Sequence, residues 1–140
     1  MVSVVERVLL LKASNFFAGV PEALLAGIAA SLEEIPVAAG AVIVAEGAVE
    51  QAMYVVARGR VEVRHGAAGL ATLEAGEVFG ELALLDPAPR SATVAAAADS
   101  LLLRLDGAAF QDLLADHGEM ALAIIRELVQ RLRATSARLQ

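Results

Sequence analysis

The sequence predicts a mainly β domain with helices on either side, a small barrel or sandwich, and three observations carry that prediction. From Val37 to Leu105, short valine-rich runs are punctuated by glycine at 40, 47, 59, 66, 69, 76 and 80, the texture of many short strands with frequent turns. Before this segment, and again after Asp106, the apolar spacing is helical. The 140 residues suit one domain with a real core, and no internal repeat or low-complexity linker divides them.

Taken in order, Val4, Val5, Val8, Leu9 and Leu11 predict a short first helix. Pro21 opens a second, PEALLAGIAASLEEI, with Leu24, Leu25, Ile28 and Leu32 along one face. Pro36 stops it and leaves Glu33 and Glu34 in its C-terminal turn, so residues 1–36 are expected to be helical. The β core, 37–105, contains six runs of strand character: AVIVA, AMYVVA, GRVEVRHG, LATLEAG, SATVAAA and SLLLRL. Val61 and Val63 alternate with Glu62 and Arg64, as on a half-buried strand.

The C-terminal helices are expected over 106–140. Asp106 caps the first, Phe110, Leu113 and Leu114 face inward, and Gly118 ends it. In the last helix, EMALAIIRELVQRLRATSARLQ, residues Ala121, Ile125, Leu128, Leu132, Thr135 and Leu139 form a heptad seam. Thr135 is its one polar member. Leu122, Ile124 and Val129 supply a second apolar face. A helix apolar on two faces needs two partners, here the domain's own β core and a second copy of the chain.

Composition removes several functions. With 58% apolar and 20% charged residues, disorder is excluded. A net charge of −6 argues against a nucleic-acid surface, so any bound anion must be held locally. The chain has no cysteine, and His65 and His117 lack ligand spacing, so no metal site is expected. The N-terminal apolar core, Val8–Leu11, is too short for a signal peptide, and no run approaches the about eighteen apolar residues of a membrane span. A cytoplasmic chain without membrane insertion is the expectation. No nucleophile elbow, P-loop lysine or His–carboxylate pair is present, and the expectation is a protein that is not an enzyme and carries no cofactor.

Residues 79–94, FGELALLDPAPRSATV, hold the chemistry. Glu81 and Arg90 sit in an apolar stretch, and buried charges need partners. Gly80, Glu81, Leu82 and Ala83 open a short helical turn whose free backbone N–H groups favour an anion, which glycine lets approach closely. Arg90 returns after the Pro87–Pro89 turn with a planar fork of donors suited to phosphate. Ser91 and Thr93 add hydroxyls. Glu81, repelled by a phosphate, should accept hydrogen bonds from a neutral group such as a ribose hydroxyl. A sugar phosphate satisfies this set of residue types.

The stretch FGELALL…PRSATV resembles the phosphate-binding cassette of cyclic-nucleotide-binding domains, the family of the catabolite activator protein, the regulatory subunit of cyclic-AMP-dependent protein kinase and nucleotide-gated channels. Gly40, Gly47, Tyr54-Val55-Val56, Gly59 and Gly76-Glu77-Val78-Phe79 agree with it, and the likeness covers roughly residues 14–140. It implies a double-stranded β-helix, a jelly-roll-like β-roll, with N-terminal helices and C-terminal B and C helices. By position, it implies that Gly80, Leu82 and Ala83 offer amides to a cyclic phosphate, that Arg90 pairs with its charge, and that Ser91 adds a hydroxyl. Glu81 would hold the ribose 2′-OH, with Val63 and Leu73 against the base. QRLRATSARL is similar to the dimer helix of the catabolite activator protein, which puts Thr135 and Ser136 near an adenine amino group.

The ligand implied is cyclic AMP, with cyclic GMP the alternative, and the function implied is a sensor that signals through its last helix, as a homodimer or as a domain of a larger protein. No helix-turn-helix lies within the 140 residues, so no effector is visible. No aromatic residue follows Phe110 to cap the base, which leaves Arg133 or the Thr135–Ser136 pair to close the site. The competing reading is a structural or protein-interaction β-roll that no longer binds nucleotide, with Glu81 and Arg90 paired to each other.

Overall fold

Eight strands and five helices follow one another in the computed structural model, which describes residues 1–66 and 68–138, with residues 68–70 described by backbone alone. The strands are β1 (Glu33–Val37), β2 (Val42–Val44), β3 (Ala52–Arg58), β4 (Arg60–His65), β5 (Ala68–Glu74), β6 (Val78–Phe79), β7 (Thr93–Ala96) and β8 (Ser100–Asp106). They form two four-stranded sheets, ordered β1-β8-β3-β6 and β2-β7-β4-β5. Every pairing is antiparallel. The helices are α1 (Val4–Ala13), α2 (Glu22–Ala30), α3 (Glu81–Leu85), α4 (Gly107–Asp116) and α5 (Gly118–Arg138). This is the flanked β-roll that the sequence predicts.

β3 organises the core because both of its faces are covered. Ala52, Tyr54 and Val56 point into the space between the sheets, with Val44, Val61, Phe79, Val94 and Leu102. Met53 and Val55 point the other way, into a cluster with Leu11, Phe17, Leu25, Leu103, Phe110 and Met120 that fastens the helices to the first sheet. A strand buried on both sides reads as a continuous apolar run, which AMYVVA is.

Three boundaries differ from expectation. The second helix ends at Ala30, and Glu33–Val37 is strand β1. Arg7 of α1 is the cause: its Nη1 donates to Ala29 O at 3.1 Å and Leu32 O at 2.7 Å, its Nη2 to Glu34 at 3.2 Å. The helix's orphan carbonyls are thus satisfied from outside. Pro36 is tolerated in β1 because this strand lies at a sheet edge, bonded to β8 alone. On α1, Leu11 is fully buried while Val4, Val5 and Leu9 lie outward. Gly69 is no turn but lies within β5, beside an irregularity in register with β4. Gly118 opens α5 rather than ending α4, whose C-cap is His117.

The last helix also takes a different face. Met120 and Ile124 are buried, with Leu128 packed beside them. Leu122, Ile125, Val129 and Leu132 are exposed. The outward seam therefore runs 122, 125, 129, 132 and places Ser136, not Thr135, in the next position. Leu139 lies outside the described residues. Among the described residues, no helix is long and apolar enough to cross a membrane.

Candidate functional site

The site is assembled by two short segments that pair side by side. Arg90 N donates to Ala48 O at 2.8 Å, Gly47 N donates to Arg90 O at 2.8 Å, and Val49 bridges Pro89. This register brings Glu50 against Arg90. The Arg90 side chain is only 7% exposed. Its Nη2 corner donates to Ala52 O at 2.9 Å, Glu50 O at 3.1 Å and the Glu50 carboxylate at 3.3 Å. The neighbouring Nε is different: it is buried and has no hydrogen-bond partner among the described residues.

Gly80 makes this geometry sterically feasible. It has φ +81° at the N-cap of α3, and a Cβ there would collide with Arg90 Nη1. The guanidinium thus lies directly beneath a residue that must be glycine on both backbone and packing grounds. The first intrahelical bond of α3 is donated by Leu84 N to Gly80 O, so the amides of Glu81, Leu82 and Ala83 precede it. A cavity of about 320 Å³ is lined by Gly80, Glu81, Leu82, Ala83, Arg90 and Ser91, with Asp86, Ala88 and Pro89. A smaller one of about 140 Å³ shares Gly80, Arg90 and Ser91 and continues along Val44, Val63, Phe79 and Val94.

Behind Arg90 stands a partly buried polar cluster. Tyr54 OH donates to both Glu50 oxygens, at 2.9 and 3.2 Å, and Arg104 Nη2 donates to Oε2 at 3.3 Å. The Tyr54 ring stacks on Phe79 at 5.1 Å. Burial, with the Glu50 carboxylate beside it, pushes the Tyr54 hydroxyl above its ordinary pKa, so it stays a donor. Burial pulls Arg104 down, but Tyr54 and Glu50 outweigh it and hold the guanidinium above its usual value.

Of the residues expected at the site, Gly80, Glu81, Leu82, Ala83, Arg90 and Ser91 converge on one cavity and Val63 on its neighbour. Leu73 packs at the edge of the inter-sheet core and lines neither. Thr93 is committed elsewhere, its hydroxyl accepting from Glu46 N at 3.0 Å. Thr135 is exposed on α5 and donates to Arg131 O at 3.0 Å, and Ser136 and Arg133 are exposed too; none of the three lines either of these cavities.

Glu81 and Arg90 do not pair. Glu81 is bonded instead to Arg131 of α5, at 3.2 Å, and Arg131 also lies 3.7 Å from Glu127 and 5.9 Å from the centre of the Phe16 ring. Arg131 is thus the link between α5 and the site. Glu50, Arg104 and Arg131 are the residues that sequence reasoning missed. Glu50 lies forty residues from Arg90 in a segment with no periodicity, and no local signal marks it.

Antiparallel sheets rolled around one core, helices at both ends, and a buried arginine fork beneath a left-handed glycine define a β-roll domain with its cavity at the cassette. The family model for the cyclic nucleotide-binding domain matches residues 34–117. Over 92 residues the chain is 41% identical to a cAMP-dependent protein kinase regulatory subunit of Blastocladiella emersonii, covering 62% of this chain and 23% of the relative. It is 26% identical over 132 residues to a CRP-like cAMP-activated global transcriptional regulator of Mycobacterium tuberculosis, covering 91% of this chain and 59% of that one. The crystal structure of the N-terminal domain of a Streptomyces coelicolor transcriptional regulator superposes with a TM-score of 0.87 at 32% identity, over 94% of this chain and 95% of that chain. The chain belongs to the cyclic nucleotide-binding domain family. It spans 23% and 59% of the length of the two curated relatives named here.

Proposed function

We propose that the domain is a sensor for a cyclic mononucleotide, cyclic AMP in preference to cyclic GMP, and that it signals occupancy through α5. The observation that carries this reading is the unpartnered, buried Nε of Arg90 on a guanidinium whose Nη2 is locked by Ala52 O, Glu50 O and the Glu50 carboxylate. A buried donor left unsatisfied costs about 1–3 kcal/mol, and a phosphate oxygen relieves that cost. In this reading the phosphate also meets the amides of Gly80, Leu82 and Ala83 and the Ser91 hydroxyl. Glu81 takes the ribose 2′-OH, and the base lies along Val63 toward Leu73. The names of the two curated relatives support cyclic AMP as the ligand.

Signalling follows from Arg131. It ties α5 to Glu81, the residue assigned to the ribose, so filling the site changes what holds the helix. The exposed seam Leu122, Ile125, Val129 and Leu132 is the surface through which two copies would dimerise, and a second copy is the natural source of the Thr135 and Ser136 hydroxyls at the adenine.

Calorimetry with cyclic AMP tests the assignment. Arg90→Ala removes the phosphate's main partner, a loss of roughly 2–5 kcal/mol, while Tyr54 and Arg104 still satisfy Glu50 and the fold persists. Wild-type affinity in that variant refutes the site. Saturating nucleotide that leaves the wild-type melting temperature unchanged favours the competing reading of a β-roll without ligand.

A further inference from the structure

We infer that Glu50 selects the charge of the ligand, admitting a singly charged phosphodiester and disfavouring a doubly charged phosphomonoester. This inference rests on the reading that Arg90 receives a phosphate. Glu50 is shared by two arginines, with Arg90 Nη2 3.3 Å from one carboxylate oxygen and Arg104 Nη2 3.3 Å from the other. Tyr54 donates to both oxygens and fixes the carboxylate in place, with its own ring held against Phe79. The carboxylate therefore cannot simply swing away when an anion arrives.

The charges around Arg90 can be summed. Arg90 and Arg104 contribute two positive charges and Glu50 one negative, so the cluster carries a single surplus positive charge. Asp106, 3.6 Å from Arg104, is half exposed and screened. On the α3 and α5 side, Glu81 and Arg131 offset each other, with Glu127 behind Arg131. Asp86 lines the cavity but is solvent-exposed. One ligand charge balances this surplus. A second has no counter-charge and faces Glu50, whose side chain is about a third exposed while Arg90 is buried, so solvent screens the repulsion only in part. An excess charge in such a place is unfavourable.

The test compares cyclic AMP with 5′-AMP on the full chain at pH 5.5 and pH 8. A phosphomonoester sheds its second proton near pH 6, whereas the cyclic phosphodiester stays singly charged. In the wild type, the preference for cyclic AMP should grow roughly tenfold between the two pH values, the scale of one unmatched unit charge at a partly screened site. Glu50→Gln adds one positive charge to the cluster and should abolish that growth. Arg104→Gln removes one and should steepen it. Opposite shifts support charge selection; shifts in the same direction mean that the cluster acts only as a scaffold and overturn the inference.

Should Glu50→Gln fail to fold, Arg104→Gln decides alone, and an unsteepened profile overturns the inference. A wild type that binds cyclic AMP while Glu50→Gln keeps the full pH-dependent preference removes the role of Glu50 and leaves the proposed function standing. A wild type that binds neither nucleotide removes both.

Discussion

Gly80→Ala tests the central geometry of the site, because one added methyl group acts on it in two separable ways. The first is backbone strain: at φ +81° an alanine costs roughly 1–2 kcal/mol. The second is collision, with the new Cβ driven into Arg90 Nη1 and standing 3.0 Å from Ala52 O and 3.4 Å from Arg90 Cζ. The guanidinium must move, and Ala52 O is one of the three acceptors that hold it. Losing one hydrogen bond to a charged group costs about 1.5–3 kcal/mol. The two together come to about 2.5–5 kcal/mol. Gly40→Ala is the control, since Gly40 has φ +88° and nothing within 4 Å of the place its Cβ would take, so it carries the strain alone. Urea unfolding should show Gly80→Ala losing at least about 1.5 kcal/mol more than Gly40→Ala. Calorimetry should show nucleotide binding lost in the first and kept in the second. Equal stabilities with intact binding in Gly80→Ala would mean that the arginine fork has room to spare, and that its orientation does not matter to the ligand.

Three further outcomes are expected beside the loss of binding in Arg90→Ala. In competition, cyclic AMP should displace cyclic GMP, because the smaller cavity runs along apolar Val44, Val63 and Val94 rather than polar groups suited to guanine; cyclic GMP winning would reverse the choice of ligand. Arg131→Ala cuts the tie from α5 to Glu81 and Phe16, and limited trypsin digestion at Arg126 and Arg133 should speed up while global stability changes by no more than about 1 kcal/mol. Ile125→Glu places a charge in the exposed seam; sedimentation with cyclic AMP should then show less dimer than the wild type, and a wild type that is monomeric with ligand would remove the seam as an interface.

The β core was legible because its signals are local. Glycine turns and two-residue alternation mark β4, and the unbroken apolar run of AMYVVA marks a strand covered on both sides, which β3 is. The cassette was legible for the same reason, since only α3 and the Pro87–Pro89 turn separate Gly80 from Arg90. β1 was not, because Glu33-Glu34-Ile35-Pro36 continues a helical pattern and only Arg7, far back in the chain, reveals where that helix ends. The face of α5 was ambiguous in principle: both candidate seams are apolar, and only packing of Met120, Ile124 and Leu128 against the body decides which turns outward. Glu50 and Arg104 were beyond reach, since their roles exist only once strands distant in sequence lie side by side. Placing Glu81 with Arg131 likewise required the tertiary structure.

The two-sided burial of β3 constrains how this domain can diverge. A strand with one wet face offers drift a permissive position at every second residue, and sequence can change there without consequence. Ala52 to Ala57 provide none: each replacement enters either the helix-side cluster or the inter-sheet cluster, and Ala52 additionally lends its carbonyl to Arg90. Neighbouring substitutions on β3 should therefore be non-additive, and variation should arrive as compensated sets that alter the strand and its facing layers together. The helices and outer strands can diversify around it while this six-residue block keeps the arginine fork at a fixed height above the core.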